Sequence, residues 1–129
     1  MTNRFLLDTS ILIWLESGPQ HIGPKTKRII SGSDLYFSTI SVAELVYKNA
    51  LGKIEFDNST PGVWQELGIV PVSFDLDCAF HFGRYSAQWV ADPFDRQIIA
   101  TASAHNLTLL TSDREILKRG FTWVFDATT

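Results

Sequence analysis

The chain has 129 residues, 45% of them hydrophobic, one cysteine and a formal charge of −3. That length and apolar content suffice for one domain with its own core, and a lone cysteine excludes an internal disulfide framework, as expected in a reducing, cytoplasmic compartment. No apolar run approaches a membrane span and no leader-like segment opens the chain. The negative charge argues against an extended nucleic-acid groove, unless some acids are neutralised by a bound cation.

Phe5-Leu6-Leu7 is an unbroken apolar run, followed by Asp8, Thr9 and Ser10, after which Ile11, Leu12, Trp14 and Leu15 take up a helical period. Continuous rather than alternating apolarity predicts a strand covered on both faces, as in the middle of a parallel sheet. Ligands of open α/β sheets bind at the carboxyl ends of the strands, where Asp8 stands. Asp8 fits a helix N-cap equally well. The breakers at 17–24 predict a loop, and Pro24 opens a short helix carrying Lys25, Lys27 and Arg28 outward. Residues 35–38 read as a second strand. Ser41, with Glu44 three residues on, predicts a capping box for a helix that runs to Leu51 and stops at Gly52.

Thr60-Pro61 starts another helix, ended by Gly68. Residues 69–73 form a third strand, which Pro71 assigns to a sheet edge. Asp75 opens a helix expected to reach about Trp89 and to bury Cys78 among Leu76, Ala79, Phe80 and Phe82. Asp92-Pro93 opens the next helix, which ends near Asn106 and His105. A strand at 107–111, Ser112-Asp113, one turn of helix and a last strand at 122–125 complete the chain. Strands and helices alternate throughout, so residues 1–129 are expected to form a single α/β domain with a central, mostly parallel sheet flanked by helices.

Four acids fall at strand ends or in first helical turns: Asp8, Glu44, Asp95 and Asp113. In a parallel sheet these positions share one rim. Several carboxylates so close cannot all ionise without a cation. Oxygen donors without Cys or His suggest Mg²⁺ or Mn²⁺, and such clusters suit phosphodiester chemistry. Each acid also has a purely structural reading. Glu44 closes the capping box and pairs with Lys48, Asp113 is a turn acid, and Asp95 lies favourably at a helix dipole behind the N-cap Asp92. With four acids assigned to a cation, the remaining formal charge would be +1.

Leu6-Leu7-Asp8-Thr9-Ser10 resembles the opening motif of PIN-domain nucleases. The segment from Ile40 through Glu44 to Ile54 resembles their second motif, Asp92-Pro93-Phe94-Asp95-Arg96-Gln97-Ile98-Ile99-Ala100 the signature of one subgroup, and Leu107-Thr108-Leu109-Leu110-Thr111-Ser112-Asp113 the closing motif. The likeness implies a five-stranded parallel sheet and a Mg²⁺- or Mn²⁺-dependent endoribonuclease. It further implies a VapC-type toxin of a type II toxin–antitoxin pair, paired with a VapB-type antitoxin, dimeric and not membrane-bound. Asp8, Glu44, Asp95 and Asp113 then become the catalytic, metal-holding acids around an activated water. Thr9, Ser10 and Thr111 would hydrogen-bond those acids or the metal's waters, and Lys48, Lys53, Arg96 and Arg114 would contact RNA phosphates. The chain departs from the pattern at Trp89-Val90-Ala91 and at Ser10, where related sequences often carry a histidine, and this bears on substrate preference. A response-regulator-like phosphoacceptor domain fits less well: Asp8 has no acidic neighbour and the last strand is followed by no lysine. A PIN fold used only for binding would have lost its acids.

Overall fold

The computed structural model describes residues 3–129. Strands β1 (Arg4–Leu7), β2 (Asp34–Ser38), β3 (Ile69–Val72), β4 (Thr108–Thr111) and β5 (Val124–Asp126) form one sheet in the order β3-β2-β1-β4-β5. Every pairing is parallel, with Leu6 opposite Tyr36 on one side and Leu109 on the other. The connecting helices are α1 (Thr9–Ser17), α2 (Pro24–Ser31), α3 (Thr39–Ala50), α4 (Thr60–Glu66), α5 (Leu76–Phe82), α6 (Pro93–Ala104) and α7 (Arg114–Leu117).

The central position of β1 explains its continuous apolarity. Successive side chains of a strand point to opposite faces, and both faces here are covered. Leu7 packs with Ile11, Leu12, Phe37, Leu45 and Trp64, whereas Leu6 packs with Ile98, Ile99, Leu107, Leu109 and Ile116. Both leucines are wholly buried, so truncating either to alanine would cost about 2–5 kcal/mol. Pro71 lies on edge strand β3 opposite Phe37, where its missing N–H leaves no ladder position unfilled.

Three expectations are revised. The capping box is absent: α3 begins directly after Ser38, the last residue of β2 to pair with β3, and Ser38 is its N-cap, with an Oγ that accepts from the Ile40 N–H at 3.1 Å. Ser41 and Glu44 therefore lie inside the helix and are free for other partners. The helix after Asp75 is also short. Asp75 caps it, accepting from the Cys78 N–H at 3.1 Å, but it ends at Phe82 and residues 83–90 form turns. Cys78 is buried as expected, yet Leu76 and Phe80 on the same helix are each 70% exposed. The last strand, finally, is displaced toward the end of the chain, because the Trp123 carbonyl receives the Leu109 N–H before regular pairing starts at Val124.

Candidate functional site

Because β1 and β4 are adjacent and parallel, the residues that follow them, Asp8 and Ser112-Asp113, emerge on the same rim. The second turn of α3 and the first turn of α6, two helices packed against each other, bring Glu44 and Asp95 to it. A cleft of about 300 Å³ opens there, lined by Asp8, Thr9, Ser10, Glu44, Lys48, Asp92, Asp95, Ser112 and Asp113. All four acids singled out in the sequence are brought together, and a fifth, Asp92, joins them.

Capping and clustering turn out to be compatible. Asp8 caps α1 by accepting from the Thr9 N–H at 2.8 Å, Asp92 caps α6 by accepting from the Phe94 N–H at 2.8 Å, and Asp113 caps α7 by accepting from the Ile116 N–H at 3.1 Å. Each cap engages one carboxylate oxygen with a backbone donor, so three helix N-termini point their positive ends at the cleft. The other Asp8 oxygen accepts from the Thr111 hydroxyl at 2.6 Å, and that hydroxyl in turn accepts from the Asp113 N–H at 3.0 Å. Thr9 Oγ1 donates to Glu44 Oε1 at 2.7 Å and lies 2.9 Å from Ser41 Oγ, while Lys48 holds Glu44 Oε2 from one turn further along α3. Thr9 and Thr111 thus orient the acids. Ser10 does not touch them; its hydroxyl lies 3.2 Å from that of Ser112.

The electrostatics follow from burial. Asp8 is only 4% exposed, and burial pushes its carboxyl up to about 6. The hydrogen bonds from Thr111 and Thr9 work against that rise, and the charges of Glu44 and Asp113 add to it. Asp95 is raised further, to about 8, by desolvation first and then by the charges of Asp8, Asp92, Asp113 and Glu44. Lys48 is held above its usual range chiefly by its hydrogen bond to Glu44. One ammonium faces five carboxyls, so the cleft is short of positive charge. Glu44, Asp92 and Asp95 each offer an oxygen, all within 4.8 Å of one another. Clustered oxygen donors of this kind fit a hard divalent cation.

The cations expected to meet RNA are placed unevenly. Lys48 lines the cleft. Lys53 is exposed just past α3 and outside the cleft lining. Arg96 lays its guanidinium over the Phe82 ring at 5.3 Å, and Arg114 pairs with Asp126 at 3.1 Å. Sequence reasoning confined Asp92 to capping and overlooked Ser41 as a partner of Thr9. The Asp-Pro-Phe-Asp spacing carried the signal for Asp92, since residues three apart in a first helical turn face the same way. Among the described residues no histidine lines the cleft.

Beside the acids runs a larger groove of about 530 Å³, apolar along Leu12, Ile13, Leu45, Ile54, Phe56 and Trp64. Ile13, Leu45 and Ile54 line both hollows, so groove and cleft are continuous. No helix of the described residues is long and apolar enough to cross a membrane.

The fold has solved counterparts. A toxin–antitoxin complex from Klebsiella pneumoniae contains a chain 21% identical to this one, superposing with a TM-score of 0.65 over 95% of this chain and 96% of that one. VapBC-1 from nontypeable Haemophilus influenzae matches with a TM-score of 0.68 at 20% identity, covering 97% and 98% of the two chains. FitAcB from Neisseria gonorrhoeae matches at 26% identity with a TM-score of 0.53, over 95% and 97%. No curated protein sequence matches the chain. The PIN domain profile matches residues 5–121, from the first strand to beyond the last of the clustered acids, and the chain therefore belongs to the PIN domain family.

Proposed function

We propose that this protein is a Mg²⁺- or Mn²⁺-dependent endoribonuclease, the VapC-type toxin of a type II toxin–antitoxin pair. The observation that carries the reading is the convergence of Asp8, Glu44, Asp92, Asp95 and Asp113 on one cleft, with Asp8 and Asp95 raised by burial and mutual repulsion. Asp8, Glu44, Asp95 and Asp113, with Asp92 added, would hold the ion. When bound, such an ion supplies positive charge for a scissile phosphate and lowers the pKa of water.

The chain's own residues account for the remainder of the site. Thr9 and Thr111 lock Glu44 and Asp8 in single orientations, so their oxygens are preorganised before any ligand arrives. Lys48 limits the repulsion among Glu44, Asp92 and Asp95, and it is the cation placed to meet a phosphate oxygen at the mouth. Loading the cleft would drive the protons off Asp95 and Asp8. The solved counterparts are toxin–antitoxin and VapBC complexes, and the apolar groove continuous with the cleft suits a segment of a VapB-type antitoxin. A homodimer is part of the same proposal.

The test is RNA cleavage by purified protein in Mg²⁺, in Mn²⁺ and in EDTA, with Asp95→Ala alongside. Cleavage that needs the metal and is lost in the variant is expected. Equal cleavage by Asp95→Ala would reject the assignment of the site.

A further inference from the structure

We infer that Asp75, Cys78 and His105 form a second metal site, chemically suited to Zn²⁺ and distinct from the acidic cleft. One ligand atom from each of the three lies within 4.8 Å of the other two. They come from two packed helices: Asp75 is the N-cap of α5, Cys78 stands in its first turn, and His105 is the C-cap of α6.

The hydrogen bonding leaves a ligand atom free on each residue. Asp75 Oδ1 is engaged by the Cys78 N–H, while Oδ2 faces His105. His105 Nε2 lies 3.4 Å from that oxygen, yet it is sealed from solvent and makes no hydrogen bond. The two atoms lie within ion-pairing reach without a hydrogen bond, a separation that two ligands of one ion would also show. Cys78 is wholly buried, and its Sγ lies 3.8 Å from the Ser73 carbonyl with the side chains of Asp75 and Thr101 also facing it. Buried unpartnered polar atoms are rare and call for an explanation.

The donor set selects the ion. Thiolate, imidazole and carboxylate together match the tetrahedral preference of Zn²⁺, with three protein ligands and a fourth position for water. Mg²⁺, which takes oxygen donors, is directed to the cleft. The two sites would not compete, because α6 separates them: Asp95 lies in its first turn and His105 just beyond its end, about 15 Å along the axis at 1.5 Å per residue. Burial holds the Cys78 thiol protonated in the absence of a cation. Binding therefore transfers the thiol proton to solvent and forms a metal–sulfur bond. The site would tie the start of α5 to the end of α6 and act as a structural clamp, independently of whether the cleft cuts RNA.

The experiment uses the full chain, stripped with chelator and then held in saturating Mg²⁺ so that the cleft is occupied. Co²⁺ is titrated as a spectroscopic probe and Zn²⁺ as the competitor. The expected result is one Co²⁺ per chain with thiolate-to-metal charge-transfer absorption, displaced by one equivalent of Zn²⁺. That absorption should vanish in Cys78→Ser, and the affinity should fall about 100-fold in His105→Gln. His105→Gln retains the thiol and changes a half-exposed side chain, so it tests the site even if Cys78→Ser fails to fold. Absence of the charge-transfer band in the native chain, or unchanged Zn²⁺ affinity in His105→Gln, would overturn the inference.

Discussion

Replacing Asp8 by asparagine should make the metal-free protein more stable at pH 8 and less stable at pH 4. Asp8 has a folded-state pKa of about 6 against an ordinary value of 3.8. Raising the pKa on folding means that the folded state holds the proton more tightly. The associated stability is complete below about pH 4 and is lost as pH rises through 6. Above that range, burying the ionised carboxylate costs about 3 kcal/mol at 1.36 kcal/mol per pKa unit. Asparagine removes this cost. It keeps an oxygen for the Thr9 N–H, but its amide cannot accept from the Thr111 hydroxyl, a loss of about 1 kcal/mol. The net gain at pH 8 is about 2 kcal/mol, or roughly 6–10 °C in Tm for a chain of this size. At pH 4 only the lost hydrogen bond remains and the sign reverses. The assay is thermal unfolding in EDTA at both pH values, repeated in Mg²⁺, where the native chain should regain the advantage. An Asp8→Asn protein that melts below the native one at pH 8 in EDTA would refute the reasoning.

The same titrations imply that Mg²⁺ competes with protons for the cleft. Affinity measured by calorimetry should rise about tenfold per pH unit between 6 and 8 as Asp95 yields its proton, then level off; a flat profile would count against the raised carboxyl. Thr111→Val strips the donor from Asp8 and the acceptor from the Asp113 N–H. It should cost about 2–3 kcal/mol in urea unfolding at pH 8, and a neutral result would deny the threonine its orienting role. Gly23→Ala should also destabilise, by about 1–3 kcal/mol. Its new Cβ would stand 2.1 Å from the Thr129 backbone, which must move aside, so a lowered urea midpoint is expected.

The architecture was largely legible in the sequence because its most informative stretch ends in two wholly buried leucines, Leu6 and Leu7. Phe5 to Leu7 reads as a doubly covered strand, and it is the centre of the sheet. Pro71 marks the edge for the same kind of reason, through what its backbone cannot donate. Local patterns misled where two frames fitted equally well. Ser38 and Ser41 can each cap a helix, and only the register of β2 against β3, a contact between distant segments, decides for Ser38. Apolar spacing past Phe82 looked helical, but Gly83 and the turns after it end α5 early. For the acids, capping and site-building appeared to be rival explanations because sequence shows a residue type and not how many of its lone pairs are engaged. The partnership of Asp75 and Cys78 with His105 was out of reach for another reason: it exists only through the packing of α5 on α6.

The backbone N–H of Asp8 donates to the Leu110 carbonyl at 2.9 Å, between the two central strands. Exchange of that amide with solvent requires β1 to part from β4, and parting them dismantles the whole sheet. Its protection should therefore equal the global free energy of unfolding, with no cheaper local opening. The acid at the heart of the cleft consequently sits in the least yielding part of the molecule. Loading it should therefore change the protons on Asp8 and leave its backbone where it is.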